Sequence, residues 1–464
     1  MKTPDHRTIL VSLAVFFVSA CSGGGNQLTD GGIDGGPTHD PWMVVAASEL
    51  PSPRGWVTVR GIVHAHSPYS HDACDGEPFI EGVRNEECFE ECRFGMCDTR
   101  QDFVFMTDHD DLFAQYEYPE VLLYKEGDTM IERAGKPVAN RINCGDGHEV
   151  ILAAGTETAM MPIGIEYHLG TTLEEREAAY GDDSEAGVLA LQAAGALVFL
   201  QHTEGWEIET ILNLPIDGIE CYNLHFNLLD NWGVALQLML AMEDDPESVG
   251  AIEIAILAIF KENQADLLRW SKAVMQKPMP AIVATDSHRN VFDNPSPDGE
   301  RLDSFRRMMH WFSNYVLVPA GALDDAVLKQ AIGKGRMYGA FDYLGYPEGF
   351  DFYAVGSQDY EMGDQIPAGE SVTLHLSIPA VFRLDPDGPA PVVTGRILKA
   401  NDGEWDLVSS GDADLAYSAG QGVYRAEIRM VPEHLRPWVG TVTEEFIKET
   451  IWIYSNPIYV GMQY

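Results

Sequence analysis

Between about residues 55 and 345, short apolar runs alternate with longer segments of helical periodicity. Runs of this length, rich in β-branched and aromatic residues, are typical of buried strands. Alternating strands and helices predict a mostly parallel sheet covered by helices. The predicted strands are 57–63, 103–106, 150–154, 196–200, 218–221, 281–284 and 315–318, and the predicted helices are 173–194, 266–276 and 323–333. Residues 230–263 interrupt the pattern and are interpreted as a helical insertion.

The pattern changes near residue 349, and the segments beyond it alternate apolar and polar residues with a period of two. Turn signals such as residues 385–388 and 401–403 separate these segments. Residues 349–464 are therefore predicted to form a small antiparallel β-sandwich.

The first twenty residues read as an export signal. Lys2 and Arg7 precede an apolar run at 9–18, which is too short to span a bilayer but suits a signal peptide. Residues 18–21 resemble a bacterial lipobox, in which the cysteine is lipidated, so Cys21 is the predicted lipid anchor. The alternative is an ordinary signal peptide with a coincidental cysteine.

Residues 21–54 are predicted to be a flexible tether, because 22–40 are rich in Gly and Asp and almost free of apolar residues. The chain is thus expected to be exported and attached to the bacterial cell envelope, with membrane contact only through the lipid. By resemblance to the enterobacterial sorting rule, Ser22 after the anchor slightly favours the outer membrane over the inner membrane.

The formal net charge is -42. So acidic a surface repels polyanions, which argues against nucleic acid as a partner and favours a small or neutral substrate. The sequence does not indicate an oligomeric state.

Six cysteines remain after the predicted anchor, an even number that suggests up to three disulfides in an oxidising compartment. They are Cys74, Cys88, Cys92, Cys97, Cys144 and Cys221. Sequence alone leaves 15 pairings open. A zinc site at the crowded Cys88, Cys92 and Cys97 is the alternative, although their spacing does not match the paired C-x2-C arrangement.

Potential metal ligands follow the carboxyl ends of five predicted strands. His64 and His66 are two residues apart after the first, so both imidazoles face the same side. In parallel sheets and barrels this edge is where sites assemble. The set is His64, His66, His71, His109, Glu157, His202, Asp286 and His288, and it contains six of the 14 histidines in the chain.

The motifs His-x-His, Thr-Asp-His, Gly-x-Glu, His and Asp-x-His, in this order, resemble the PHP (polymerase and histidinol phosphatase) superfamily over about residues 57–345. Arg60-Gly61 and the segments 331–338 and 456–460 are similar to an exported, carbaryl-hydrolase-like branch. The resemblance implies a distorted (β/α)7 barrel over residues 55–348, with the sandwich after it.

The same resemblance implies two or three divalent metal ions. The expected first-metal ligands are His64, His66, Glu157 and Asp286. Glu157 would bridge to a second ion held by His202 and by His168, the one histidine between them in sequence. The expected third-metal ligands are His71, where many members have Asp, together with His109 and His288. Imidazole and carboxylate suit Zn, Mn or Fe, and the sequence does not distinguish these metals.

The resemblance implies a metal-dependent hydrolase that uses an activated water, of the phosphoesterase type and acting on a small molecule. Amide, ester or carbamate hydrolysis at the same centre is one alternative, and a non-catalytic surface-binding lipoprotein is another. Asp286 would be essential to the chemistry through the metal, and His71 or His288 could act as general acid if the third position is empty. Arg289 could bind an anionic group or form a surface salt bridge. Glu220, Asn223 and His225 are interpreted as pocket wall or outer hydrogen-bond partners.

Overall fold

The computed structural model describes residues 39–464, which form 25 strands and 11 α-helices. The predicted signal peptide, the lipid anchor Cys21 and the tether up to residue 38 lie outside the described residues. The strands are β1 (Trp56–Val63), β2 (Phe79–Ile80), β3 (Val83–Arg84), β4 (Phe103–Phe105), β5 (Thr129–Arg133), β6 (Lys136–Asn143), β7 (Glu149–Ala153), β8 (Met161–Ile163), β9 (Leu197–Leu200), β10 (Gly218–Asn223), β11 (Ala281–Ala284), β12 (Ser313–Pro319), β13 (Met337–Ala340), β14 (Pro347–Glu348), β15 (Asp351–Val355), β16 (Asp359–Glu361), β17 (Gln365–Ile366), β18 (Val372–Ser377), β19 (Ala380–Val381), β20 (Val392–Asn401), β21 (Glu404–Gly411), β22 (Leu415–Ala419), β23 (Gly422–Val431), β24 (Thr450–Ser455) and β25 (Ile458–Val460). The helices are α1 (Glu86–Asp98), α2 (Asp110–Phe113), α3 (Leu173–Tyr180), α4 (Glu185–Ala193), α5 (Ile208–Asn213), α6 (Leu224–Asp230), α7 (Trp232–Asp244), α8 (Ala255–Ile259), α9 (Gln264–Val274), α10 (Phe305–Trp311) and α11 (Asp325–Lys334).

The architecture is mixed α/β with a large mixed sheet. The seven predicted strands coincide with β1, β4, β7, β9, β10, β11 and β12. Two parallel groups carry most of them: β1, β4 and β7 pair in one sheet, and β9, β10 and β11 pair in another. β12 departs from the expected parallel order, because it runs antiparallel to β1.

Isolated bridges join the two parallel groups. Ala65 after β1 pairs in parallel with Ser287 after β11, and Gly155 after β7 pairs with Ile163 of β8, the antiparallel neighbour of β9. The carboxyl ends of β1, β4, β7, β9 and β11 therefore lie at one rim.

The strands after residue 349 continue the large sheet. β24 pairs with β13 on one side and with β23 on the other, so backbone hydrogen bonds cross the boundary that the sequence places near residue 349. A four-stranded antiparallel sheet, in the order β16-β15-β18-β22, accompanies it.

The chain immediately before β1 is packed, not tethered. Trp42, Val45 and Leu50 are buried, and the Trp42 Nε1 donates a hydrogen bond to the carbonyl of Tyr343. The predicted tether to residue 54 is therefore too long, because apolar side chains after residue 40 dock on the body.

Two disulfides form, Cys74–Cys88 and Cys97–Cys144, while Cys92 and Cys221 are buried thiols. The upper expectation of three is not met, because Cys92 lies on α1 and Cys221 on β10, each within the core. The alternative of a zinc site at Cys88, Cys92 and Cys97 does not fit, since two of these sulfurs are in disulfides. In residues 39–464 no helix has the length and apolar character needed to cross a membrane.

Candidate metal centre

Seven side chains that the sequence places on five separate strand ends converge at the rim. His64 and His66 follow β1, His109 follows β4, Glu157 follows β7, His202 follows β9, and Asp286 and His288 follow β11. His64, His202 and Asp286 have backbone φ of 72°, 46° and 51°. This left-handed conformation is costly for residues with a side chain and is often found at functional sites.

The first ligand group consists of His64, His66, Glu157 and Asp286, all buried. The Nε2 of His64 lies 3.1 Å from Asp286 Oδ1 and 3.3 Å from Glu157 Oε2. The Nε2 of His66 lies 3.2 Å from the same Glu157 oxygen and 3.3 Å from the same Asp286 oxygen. Four donors at about 2.0 Å from one ion in a tetrahedron would be about 3.3 Å apart, so the spacing suits a transition metal.

Three of the candidate metal-ligating atoms in the first group have no hydrogen-bond partner. Among the described residues, none forms a hydrogen bond with the buried His64 Nε2, His66 Nε2 or Asp286 Oδ1. Buried polar atoms without partners are rare and costly in native proteins, and a bound cation would satisfy all three.

A second group shares the carboxylates of the first. Glu157 Oε1 lies 3.1 Å from the Nε2 of His202, and Asp286 Oδ2 lies 3.5 Å from the same nitrogen. The Nδ1 of His225 lies 3.8 Å from Asp286 Oδ2. Glu157 and Asp286 thus each direct one carboxylate oxygen to the first group and the other oxygen to the second group. This is the arrangement of bridging carboxylates.

A third group consists of Asp72, His109 and His288 beside His66. Asp72 Oδ2 lies 3.0 Å from the Nε2 of His288 and 3.2 Å from the Nε2 of His109. Asp72 therefore stands where the sequence analysis expects His71.

The structure does not bring His168 to the cluster. Its Nδ1 is hydrogen-bonded to the hydroxyl of Tyr180, and its Nε2 donates to the carbonyl of Tyr116. Both ring nitrogens are occupied, so His168 is not available as a ligand. Its selection rested only on its position in sequence between Glu157 and His202, and His225 is the histidine that the fold places beside Asp286.

His71 and Arg289 also differ from expectation. The side chain of His71 is 54% exposed, with Nδ1 bonded to Asp111 and its ring against that of His109 at 4.9 Å, so it lies at the rim and outside the ligand groups. Arg289 forms ion pairs with Asp75 and Glu91, so it is not free to bind a substrate anion.

Five imidazoles in the cluster share one orientation, with Nε2 towards the other ligands and Nδ1 bonded away from them. The Nδ1 partners of His64, His66, His109, His202 and His288 are Glu220, Ser70, the Glu157 carbonyl, Glu204 and the Asp286 carbonyl, respectively. Partners of this kind fix the ring and its tautomer in metal sites. The bonds at Nδ1 therefore orient the five Nε2 atoms in the way that metal coordination requires.

Charge in the cluster is balanced between imidazoles and carboxylates. Burial lowers the pKa of His64, but Asp286, Glu220 and Glu157 together raise it well above its ordinary value. Asp286, Glu157 and Asp72 outweigh burial at His66 and raise its pKa to about 10. The pKa of Asp286 is well below its ordinary value because the histidines outweigh its burial. The carboxylates thus attract positive charge, which a divalent cation could supply in place of protons.

Glu220 connects two of the candidate ligands, His64 and His202. Its Oε1 accepts from His64 Nδ1 at 2.5 Å and its Oε2 accepts from the backbone N–H of His202 at 2.9 Å. The sequence analysis interprets Glu220 as pocket wall or outer partner, and the structure places it as the outer partner.

We expect Glu220→Gln to weaken metal binding by roughly 10- to 100-fold, as loss of an outer partner does in other metal sites. Removing the charge leaves His64 less basic and less firmly oriented. Titration with Zn²⁺ against a competing chelator measures the effect. Glu262→Gln, at a carboxylate paired with Arg429, is the control. Equal affinity in the Glu220 variant and the wild type would show that this carboxylate does not support the site.

Two contributors were absent from the predicted ligand set. Asp72 is the residue directly after His71. Many PHP proteins have an aspartate at the position that the sequence analysis matched to His71, so an aspartate one residue further on was a signal for this ligand. His225 follows β10 in the same way that the other candidate ligands follow their strands. The sequence therefore held a signal for it, but the sequence analysis interpreted His225 as pocket wall or an outer hydrogen-bond partner.

Fold and site together define a mixed α/β protein with a candidate multinuclear metal centre. No family model matches the chain, and no curated protein matches it. It is similar to a crystal structure of a two-domain protein containing a predicted PHP-like metal-dependent phosphoesterase from Bacteroides vulgatus. The sequence identity is 11%, the match covers 87% of this chain and 96% of that chain, and the TM-score is 0.28.

Proposed function

We propose that the protein is a metal-dependent hydrolase of the phosphoesterase type that acts on a small substrate. The observation that carries this proposal is the shared orientation of five imidazoles, whose Nε2 atoms converge on Glu157, Asp286 and Asp72. Two or three divalent ions of the Zn, Mn or Fe class suit these donors.

When bound, the ions would supply an activated water and stabilise the charge that develops in the transition state. The residues of the chain would hold the ions, orient their ligands and transfer a proton. Glu157 and Asp286 present oxygens to two groups at once, and Glu220 holds His64 in position. His71 is exposed at the rim beside His109, and we assign it the transfer of a proton from its ring to the leaving group.

The finer description of the fold belongs to the same proposal. We infer a PHP-type (β/α)7 barrel over residues 55–348, with a β-sandwich over 349–464. The bridges Ala65–Ser287 and Gly155–Ile163, which join the two parallel sheets at their edges, support the barrel. The antiparallel pairing of β15, β16, β18 and β22 supports the sandwich.

We also propose that the chain is exported and lipid-anchored through Cys21. Two disulfides within the described residues are consistent with an oxidising compartment.

A hydrolysis screen with metal analysis tests the function. The purified protein is stripped with a chelator, reloaded separately with Zn²⁺, Mn²⁺ or Fe²⁺, and assayed on p-nitrophenyl phosphate, bis(p-nitrophenyl) phosphate, p-nitrophenyl acetate and a p-nitrophenyl carbamate. We expect metal-dependent release of p-nitrophenol, greatest from a phosphoester. Hydrolysis confined to the acetate or carbamate would overturn the phosphoesterase assignment, and metal-loaded protein inert on all four would favour a binding lipoprotein.

A further inference from the structure

The loop after β9 carries His202, the most exposed candidate ligand of the first two groups. The side chain of His202 is 37% exposed, whereas those of His64 and His66 are fully buried. The backbone φ of His202 is 46°, a conformation that persists in residues with a side chain only where the surroundings hold it. Packing alone therefore does not place this imidazole, and the hydrogen bonds of its loop contribute.

Arg269, on α9, holds the far end of this loop. Its Nη2 donates to the carbonyl of Glu204 at 3.0 Å, and its Nε donates to the carbonyl of Trp206 at 2.9 Å. Hydrogen bonds from a charged donor are roughly twice as strong as those between neutral groups. The planar guanidinium thus joins two carbonyls of the loop and fixes them relative to α9.

Glu204 connects Arg269 with the imidazole of His202. The side-chain Oε1 of Glu204 lies 3.2 Å from His202 Nδ1, and the carbonyl of the same residue accepts from Arg269. Thr203–Gly205 form a single 3-10 turn, so a shift of the Glu204 backbone also moves its carboxylate. A carboxylate at the second nitrogen of a metal-binding histidine fixes the ring and its tautomer. Arg269 therefore acts on His202 through one intervening residue.

The helix that carries Arg269 is held by the chain after residue 349. Trp405, on β21, donates from its Nε1 to the carbonyl of Leu267 at 2.8 Å. The rings of Trp405 and Trp270 meet edge to face, with centroids 5.3 Å apart. Leu267 and Trp270 lie on either side of Arg269 along α9. The C-terminal region therefore fixes the helix from which Arg269 reaches the loop of His202.

We propose that Arg269 is a positioning residue for the second ligand group, and that the C-terminal region acts on the metal centre through α9 and Arg269. The action is on the ligand His202 and not on the reacting atoms. Arg269 holds the loop so that His202 Nε2 stays 3.1 Å from Glu157 Oε1, a spacing that suits two ligands of one ion. This inference rests on the proposed function and adds the residues that hold its second metal position.

Stepwise metal titration tests the proposal. Full-length protein stripped of metal is titrated with Zn²⁺ against a competing chelator, and His202→Ala identifies the binding step that depends on the second group. In Arg269→Gln we expect the affinity of that step to fall roughly 10- to 100-fold, as on loss of an outer partner in other metal sites, and the affinity of the first-group step to change less than about twofold. An equal loss at both steps, or no loss at either, would overturn the proposal.

Three further variants complete the test. Arg269→Lys keeps the charge but not the planar fork, so its loss should be smaller and confined to the second step, and it carries the test if Arg269→Gln does not fold. Arg141→Gln is the matched control, because Arg141 also donates to a loop carbonyl, that of Leu323, from a strand without candidate ligands, and it should change neither step. Trp405→Phe removes the bond to Leu267 and should weaken the second step by about threefold or more. An unchanged second step in Trp405→Phe would overturn the role of the C-terminal region.

This inference and the proposed function fail in different ways. If the wild type binds at least two ions and hydrolyses a phosphoester but Arg269→Gln does not separate the two binding steps, the positioning inference is wrong and the hydrolase remains. If the stripped wild type takes up no metal and hydrolyses nothing, the proposed function fails and the positioning inference fails with it.

Discussion

Asp286→Ala is expected to release metal from the centre and to abolish turnover. Asp286 presents Oδ1 to His64 and His66 and Oδ2 to His202, so one substitution removes donors from two groups. It also leaves histidines buried without the carboxylate that balances them. The loss in metal affinity should exceed the roughly 100-fold that follows removal of an outer partner. Elemental analysis after gel filtration, with assay of the same fractions, measures both.

His168→Ala is the matched control. This substitution removes a histidine that the sequence analysis expects to be a ligand and that the structure places between Tyr180 and Tyr116. The variant should retain the metal content of the wild type and its turnover. Loss of metal in His168→Ala with retention in Asp286→Ala would invert the structural assignment and contradict the site.

Removing the disulfide Cys74–Cys88 is expected to have the second largest effect. The bond closes a loop of 14 residues directly after Asp72, and the backbone N–H of Cys74 donates to the carbonyl of His288 at 3.1 Å. In the chain-entropy description a loop of this length is worth about 3 kcal/mol of unfolding free energy. Cys74→Ser/Cys88→Ser should lose about that much in urea denaturation under non-reducing conditions and should bind metal more weakly through Asp72.

Cys92→Ala provides the comparison for that experiment, because it removes a buried thiol of α1 and leaves both disulfides intact. It should still lose stability when a reductant is added, as the wild type does. A double serine variant with the urea midpoint of the wild type would mean that Cys74 and Cys88 are not joined in the folded protein.

The positions of the parallel strands could be predicted because a strand buried on both faces has a recognisable local sequence pattern. A strand covered by helices consists of consecutive apolar residues, as at β4 and β11, and the ligand follows within a few residues of its end. The helical insertion over residues 230–263 was predictable from its helical periodicity, and α7 and α8 lie within it. The pairing of β24 with β13 was not, because strand partners far apart in sequence leave no local pattern.

The candidate ligands also divide into those that local motifs predicted and those that depend on tertiary contacts. His64, His66, His109, Glu157, His202, Asp286 and His288 were predicted from motifs, because each follows a strand that begins or ends at a recognisable place. His168 was chosen by elimination, and His71 by a motif offset of one residue. Neither choice could take account of where a ring nitrogen points, which depends on neighbours such as Tyr180 and Asp111.

The sequence by itself determined that histidines and carboxylates follow successive strand ends, because backbone alternation and hydrophobic periodicity act over a few residues. Only the tertiary structure decided which of them share a site, since that depends on side-chain direction and on contacts between distant segments. It placed Asp72 beside His109 and His288 and placed His225 beside Asp286, and it excluded His168 by occupying both of its nitrogens.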